Sequence, residues 1–191
     1  MSETTYICVF LGAKEGKSPV YRSNARLLGL ELAKQNCTLV YGGARNGLMG
    51  VLADAVLDAG GKAIGVMPTS LASELHHDQL TKLHVVESMQ DRKALMSELA
   101  DAFVFFPGGL GTFEELFEVW SAKKIGIHDK PLGFLNINGY YNHLFHFLRT
   151  CSEEHFITEN QLQQVSIMDN PAELIKHTKE QIQQGVCEAI T

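Results

Sequence analysis

Short apolar runs in this chain stop at glycine or proline, and most of these stops are followed by a segment with helical spacing. Residues 6–11 are rich in β-formers and end at Gly12; residues 38–41 end at Gly42-Gly43. Residues 62–67 end at Pro68, and residues 102–106 at Pro107-Gly108-Gly109. Between the runs, Ser18-Pro19 sets a capping hydroxyl before a proline at a first helical position. Ala25, Leu28 and Leu32 then recur at helical spacing within residues 20–35. Residues 47–59 repeat the pattern and stop at Gly60-Gly61. Ser88 with Asp91 reads as a capping box opening a helix through Leu99. Further strands are expected at 82–86, 131–135 and 165–168. Further helices are expected from about Thr112 to Lys124, over 140–151, and from Asn170-Pro171 to about Gln184. Residues 69–81 are polar and carry no assignment.

Strands alternating with helices at this spacing imply βαβ units, and runs apolar on both faces need cover on both sides. The expectation is a single α/β domain over residues 1–191. It would be a doubly wound (Rossmann-like), mostly parallel sheet with helices on both faces. Ligands of such sheets bind beyond the carboxyl ends of the strands. That points at residues 12–17, 42–47 and 107–112.

Composition narrows the function classes. With 45% hydrophobic and 20% charged residues, the chain can build one sizeable core and is not mainly disordered. Lys+Arg 16 against Asp+Glu 22 gives a net charge of −6, and no basic run occurs. A grip on nucleic acid by bulk charge is disfavoured, although a local pocket can still be positive. No apolar run approaches the ~20 residues that a bilayer demands. No basic region precedes the first apolar stretch, so no leader is read. Cys8, Cys37, Cys151 and Cys187 form no C-x-x-C and read as reduced thiols of a cytoplasmic protein.

Three loops are candidates for holding phosphate. Residues 12–18 follow a strand and precede a helix, but three residues separate the glycines where a P-loop needs four, and Pro19 removes a donor. The loop is either a basic-tipped connection or a contact through the Gly12 backbone. Residues 42–50, with Gly43 and Gly47, let backbone approach a ligand, or serve only close helix–sheet packing. Pro107-Gly108-Gly109-Leu110-Gly111-Thr112-Phe113-Glu114-Glu115 is the sharpest. A fully apolar strand meets three glycines and a helix start, where free N–H groups and the Thr112 hydroxyl would cradle an anion.

Two readings of Glu115 stand together. Thr112-x-x-Glu115 fits a capping box, with Glu115 bonding the Thr112 N–H. Alternatively, Glu115 lies one turn from a bound phosphate, a reach that suits the ribose of a 5′-nucleotide. Glu118 is placed on the Glu115 face, three residues on. Arg92-Lys93 sets two cations near a helix N-terminus, against the dipole. Either a bound anion offsets that penalty, or the pair is a solvated surface feature.

These motifs together resemble the LONELY GUY family of cytokinin riboside 5′-monophosphate phosphoribohydrolases, often labelled lysine decarboxylases. The resemblance rests on P-G-G-x-G-T-x-x-E at 107–115, Tyr41-Gly42-Gly43 with Gly47-Leu48-Met49-Gly50, Met89 with Arg92-Lys93, and Cys8-Val9-Phe10. It implies that Arg92 and Glu115 are catalytic, and that Lys93, Gly108, Gly109, Gly111 and Thr112 contact the nucleotide. Glu74 matches a family glutamate, and Ser121 stands where plant members often have threonine. Gly43 belongs to the second loop. Two departures affect base preference and affinity: Gly12-Ala13-Lys14 replaces a usual Gly-Ser-Ser, and Gln90 replaces a frequent histidine.

The resemblance implies hydrolysis of the N-glycosidic bond of an adenine-type nucleoside 5′-monophosphate, giving free base and ribose 5-phosphate. It also implies a homodimer with sites completed across the interface. No cofactor and no metal are expected. Lysine decarboxylation would normally use pyridoxal phosphate on a Schiff-base lysine, and no lysine is marked out for that role. The alternative is a non-catalytic nucleotide or phosphate-ligand carrier of the molybdenum-cofactor-carrier type. A DNA-processing module ranks last. His76-His77-Asp78 lacks defined metal spacing, His143 and His146 read as packing or surface, and Trp120 as core or subunit contact.

Overall fold

The computed structural model describes residues 4–188, with the side chains of 73, 74 and 186–188 outside the description. Strands β1 (Thr5–Phe10), β2 (Cys37–Tyr41), β3 (Lys62–Pro68), β4 (Lys82–Val86), β5 (Ala102–Phe105), β6 (Leu132–Leu135) and β7 (Val165–Met168) form one sheet. Its order is β4-β3-β2-β1-β5-β6-β7, and every pairing is parallel. The helices are α1 (Pro19–Lys34), α2 (Gly47–Asp58), α3 (Thr69–Leu75), α4 (Met89–Leu99), α5 (Leu110–Lys124), α6 (Asn142–Glu153), α7 (Glu159–Gln163) and α8 (Pro171–Glu188).

Side-chain alternation along the strands splits the core in two. Ile7 and Val9 of β1 with Ala102 and Val104 of β5 pack against Leu28, Leu52 and Leu174 of α1, α2 and α8. Cys8, Phe10, Phe103 and Phe105 turn to the other face, against Met96, Leu116, Trp120 and Phe145 of α4, α5 and α6. Trp120 is therefore a core residue, set edge-on to Phe134. His143 and His146 are exposed on α6.

The strand order runs outward from β1 in both directions, so the switch point lies between β1 and β5. Their exits are tied together: Gly12 N–H donates to the Pro107 carbonyl at 3.2 Å, and Phe106 N–H to the Phe10 carbonyl at 2.9 Å. A crevice at a switch point is where doubly wound sheets take ligands.

Local signals account for most of the boundaries. Ser18 caps α1 through the Val20 N–H with Pro19 in the first turn, and Ser88 with Asp91 forms a reciprocal capping box on α4. Three expectations change. The polar stretch after Pro68 contains α3, and His77 beyond it is buried, with Nε2 on Asp54 Oδ1 at 2.9 Å. A further capped helix, α7, occupies residues with no prior assignment. The helix expected from residue 140 begins at Asn142, because a 3-10 turn, Ile137–Gly139, precedes it.

Candidate active site

A cavity of about 530 Å³ opens at the switch point, lined among others by Gly12, Gly42, Arg92, Gly108, Thr112 and Glu115. Helix α5 delivers two parts of it. Its N-cap is Gly109, with no side-chain cap. The N–H groups of the first turn have no intrahelical carbonyl, and the dipole adds partial positive charge there. Thr112 is buried, with Oγ1 seated over Gly108, where an added Cβ would lie 2.1 Å from it.

Glu115 lies three residues further on, about 4.5 Å along the helix axis. The Thr112–Glu115 capping box is not formed, since α5 starts two residues before Thr112. Instead Arg92 Nη1 donates to Glu115 Oε1 at 2.8 Å, with side-chain exposures of 12% and 10%. Arg92 Nε also donates to the Val66 carbonyl at 3.1 Å, which fixes the guanidinium plane. Burial raises the Glu115 pKa above its ordinary value, while Arg92 pulls it back down. An added Cβ on Gly42 would lie 2.4 Å from Arg92 Nη2, so only glycine leaves room for the guanidinium there. Beneath the pair, Phe10 stacks on Phe103 and Phe105 at centroid distances of 6.1 and 5.6 Å.

The fold does not bring every candidate residue into this cavity. Gly43 turns away at φ +79° and packs near Gly65, Leu83 and Met67. Lys93 Nζ lies 2.8 Å from Glu114 Oε1 and 2.6 Å from Glu118 Oε2, outside the cavity. Glu118 therefore joins Glu114 on the exposed side around Lys93, while Glu115 is buried. Hydrogen bonds that Lys93 donates to Glu114 and Glu118 raise its pKa. Ser121 is exposed, about 13 Å along α5 from Thr112. Glu74 belongs to α3, and its side chain lies outside the described residues. Lys14 lines the mouth, on an exposed loop.

Gly42 lines the cavity as a member of the candidate loop 42–50, whereas Tyr21 and Tyr140 line it with no sequence signal for a site. Met89 was noted only as part of a motif, and Tyr140 only as a helix start. Among the described residues no group of three or more His, Cys, Asp or Glu is placed to hold a metal. His76 Nε2 reaches Asp78 Oδ1 at 3.1 Å, whereas His77 turns to Asp54.

A doubly wound parallel sheet with a buried arginine–carboxylate pair and an uncapped helix start at its switch point defines an α/β protein with one crevice there. Comparison with known proteins gives it a family. The family model described as possible lysine decarboxylase matches residues 49–178. The chain is 48% identical over 154 residues to the cytokinin riboside 5′-monophosphate phosphoribohydrolase of Rhodococcoides fascians, covering 80% of this chain and 78% of that one. It is 45% identical over 175 residues to the Arabidopsis thaliana cytokinin riboside 5′-monophosphate phosphoribohydrolase LOG4, covering 91% and 81%. The chain therefore belongs to this family, which also carries the LONELY GUY name. Among solved structures, the molybdenum cofactor binding protein of Rippkaea orientalis shares the fold, with TM-score 0.73 at 24% identity over 95% of this chain and 99% of that one.

Proposed function

We propose that this chain hydrolyses the N-glycosidic bond of adenine-type nucleoside 5′-monophosphates, cytokinin riboside 5′-monophosphate or AMP, to free base and ribose 5-phosphate. The observation that carries this reading is the Arg92–Glu115 pair, one helical turn from the open amides of α5 in the same cavity. The named activity of the relatives in Rhodococcoides and Arabidopsis supports it.

The chemistry follows from the placement. Amides of residues 109–112 and the Thr112 hydroxyl hold the phosphate, so remote binding energy positions the anomeric carbon. Glycosyl cleavage passes through an oxocarbenium-like transition state. Glu115 keeps a second carboxylate oxygen for that cation, or for the water that adds to C1′ as the C–N bond breaks. Arg92 fixes the carboxylate and stands away from the developing positive charge, where like charge would raise the barrier. The base then extends toward Gly42, Met49 and Met89. Lys93 is committed to two carboxylates outside the cavity, which does not suit a Schiff-base role.

The protein works as a homodimer in this reading. Leu110 and Phe117 of α5 and Ile125 at its C-cap are 90%, 43% and 67% exposed and, with Ser121, fall on one stripe. A second copy laid on that stripe would cover it and bring Ser121 to the interface. Cys8, Cys37 and Cys151 are free thiols, which fits a cytoplasmic setting. Among the described residues no helix is long and apolar enough to cross a membrane.

Incubation with AMP and with isopentenyladenosine monophosphate, followed by chromatography, tests the function. Release of base and ribose 5-phosphate is expected. Folded protein that binds both nucleotides and leaves them intact would instead describe a carrier.

A further inference from the structure

The turn before α6 is backbone-strained. Asn138 and Gly139 both adopt left-handed conformations, with φ of 54° and 68°, which is uncommon for a non-glycine residue such as Asn138. The turn is held from several sides. Asn136 N–H donates to the Met168 carbonyl at 2.7 Å. Asn136 Oδ1 accepts the Tyr141 N–H at 2.8 Å, and its Nδ2 donates to Asn142 Oδ1 at 2.8 Å. Strain kept in place this firmly points to what the turn delivers.

It delivers two adjacent tyrosines onto the glycine-rich strap. Tyr141 is buried and its hydroxyl donates to the Phe106 carbonyl at 2.8 Å. The Tyr140 hydroxyl donates to the Gly108 carbonyl, while its ring lines the cavity and stands edge-on to Tyr21. The carbonyl between them, Pro107, is taken by Gly12 N–H. Three consecutive carbonyls are thus each bound by a donor.

We propose that Tyr140 is a positioning residue for the substrate phosphate, its hydroxyl holding the Gly108 carbonyl so that the following amide stays aimed at the anion. This rests on the nucleotide reading above. The Gly108 carbonyl and the Gly109 N–H belong to one planar trans peptide and point in opposite directions. Gly108, Gly109 and Gly111 leave the strap little intrinsic preference, since glycine populates both signs of φ. Rotation of that peptide would present an oxygen lone pair where an N–H is needed. Burial, with Tyr21 beside it, raises the Tyr140 pKa above its ordinary value, so the hydroxyl remains a donor at neutral pH.

The experiment is Tyr140→Phe, which keeps the ring and removes only the donor. Dissociation constants are measured by calorimetry for AMP, ribose 5-phosphate and adenosine, together with the melting temperature. A single hydrogen bond of this kind predicts a three- to tenfold loss, order of magnitude, for the two phosphorylated ligands. Adenosine affinity and melting temperature stay unchanged. Tyr141→Phe, in contrast, lowers the melting temperature and leaves the ratio of AMP to adenosine affinity as it was. Equal affinities of Tyr140→Phe and wild type for AMP would overturn the assignment. So would a loss shared equally by adenosine, or the same selective loss in Tyr141→Phe. Wild-type protein that binds neither phosphorylated ligand would remove the nucleotide reading itself, and this inference with it.

Discussion

Arg92 Nη1 and Glu115 Oε1 lie 2.8 Å apart, contributed by α4 and α5 from the same side of the sheet. The two charges form one nearly neutral unit, and each needs the other. Removing one partner of such a buried pair leaves an uncompensated charge and costs about 3–5 kcal/mol. Glu115→Gln avoids that penalty in part, because an amide oxygen still accepts from Arg92. Turnover should fall by about 10²–10⁴-fold, the usual scale for a lost acid–base group, while AMP affinity stays within a few-fold. Single-turnover kinetics and calorimetry check both halves. Persistent turnover would remove Glu115 from its role.

The pH profile should carry the signature of that burial. Glu115 works ionised, so activity is present above its pKa and lost as pH falls through it. Burial raises that pKa and Arg92 only partly lowers it. The acid limb of kcat/KM should therefore lie above the ordinary glutamate value of 4.5. Arg92→Ala should move the limb higher still. The sign for folding follows from linkage. A folded-state pKa above the unfolded one contributes stability below the unfolded value, and that contribution is lost as pH rises through the folded one.

Gly111 and Gly108 should behave oppositely on substitution by alanine. A Cβ on Gly111 meets no atom within 4 Å, and the residue lies inside α5. Gly111→Ala should keep or raise stability, by up to about 1 kcal/mol, yet weaken nucleotide binding by crowding the space an anion would use. A Cβ on Gly108 would lie 2.1 Å from Thr112 Oγ1 and 2.9 Å from Gly12 N, so Gly108→Ala should lower the melting temperature. Thermal unfolding paired with AMP titration separates the two effects.

Phe117→Glu places a charge in the middle of the exposed stripe of α5. Light scattering should show a dimer for wild type and a monomer for the variant, with the melting temperature of each recorded alongside. Wild-type protein that runs as a monomer would contradict the homodimer.

The strand exits were legible because glycine and proline punctuate apolar runs, as at Gly12 and Gly42-Gly43. The caps at Ser18 and Ser88 were legible because their chemistry is local. The Thr112–Glu115 box misled because the same four residues satisfy two geometries, and the uncapped start at Gly109 decided between them. Arg92 and Glu115 are 23 positions apart, and nothing local joins them; the resemblance, not the spacing, paired them. Gly42 rather than Gly43 meets the guanidinium because a left-handed turn at Gly43 swings the chain away, which periodicity cannot register. Tyr140 was invisible for a related reason, as its placement depends on two consecutive left-handed residues. Counting makes Glu118 a neighbour of both Glu114 and Glu115, and only the burial of Glu115 and the pairing of Lys93 separate them.

The seam between the exits of β1 and β5, closed by Gly12 with Pro107 and by Phe106 with Phe10, gives the crevice one gauge at its floor. Walls stitched there have little freedom to slide apart. Tolerance is left to the far end, where Met49 and Met89 have unbranched side chains that can bend around differing shapes. An enzyme so constructed would be strict about the handle by which it grips a nucleotide and lenient about the base it sets free.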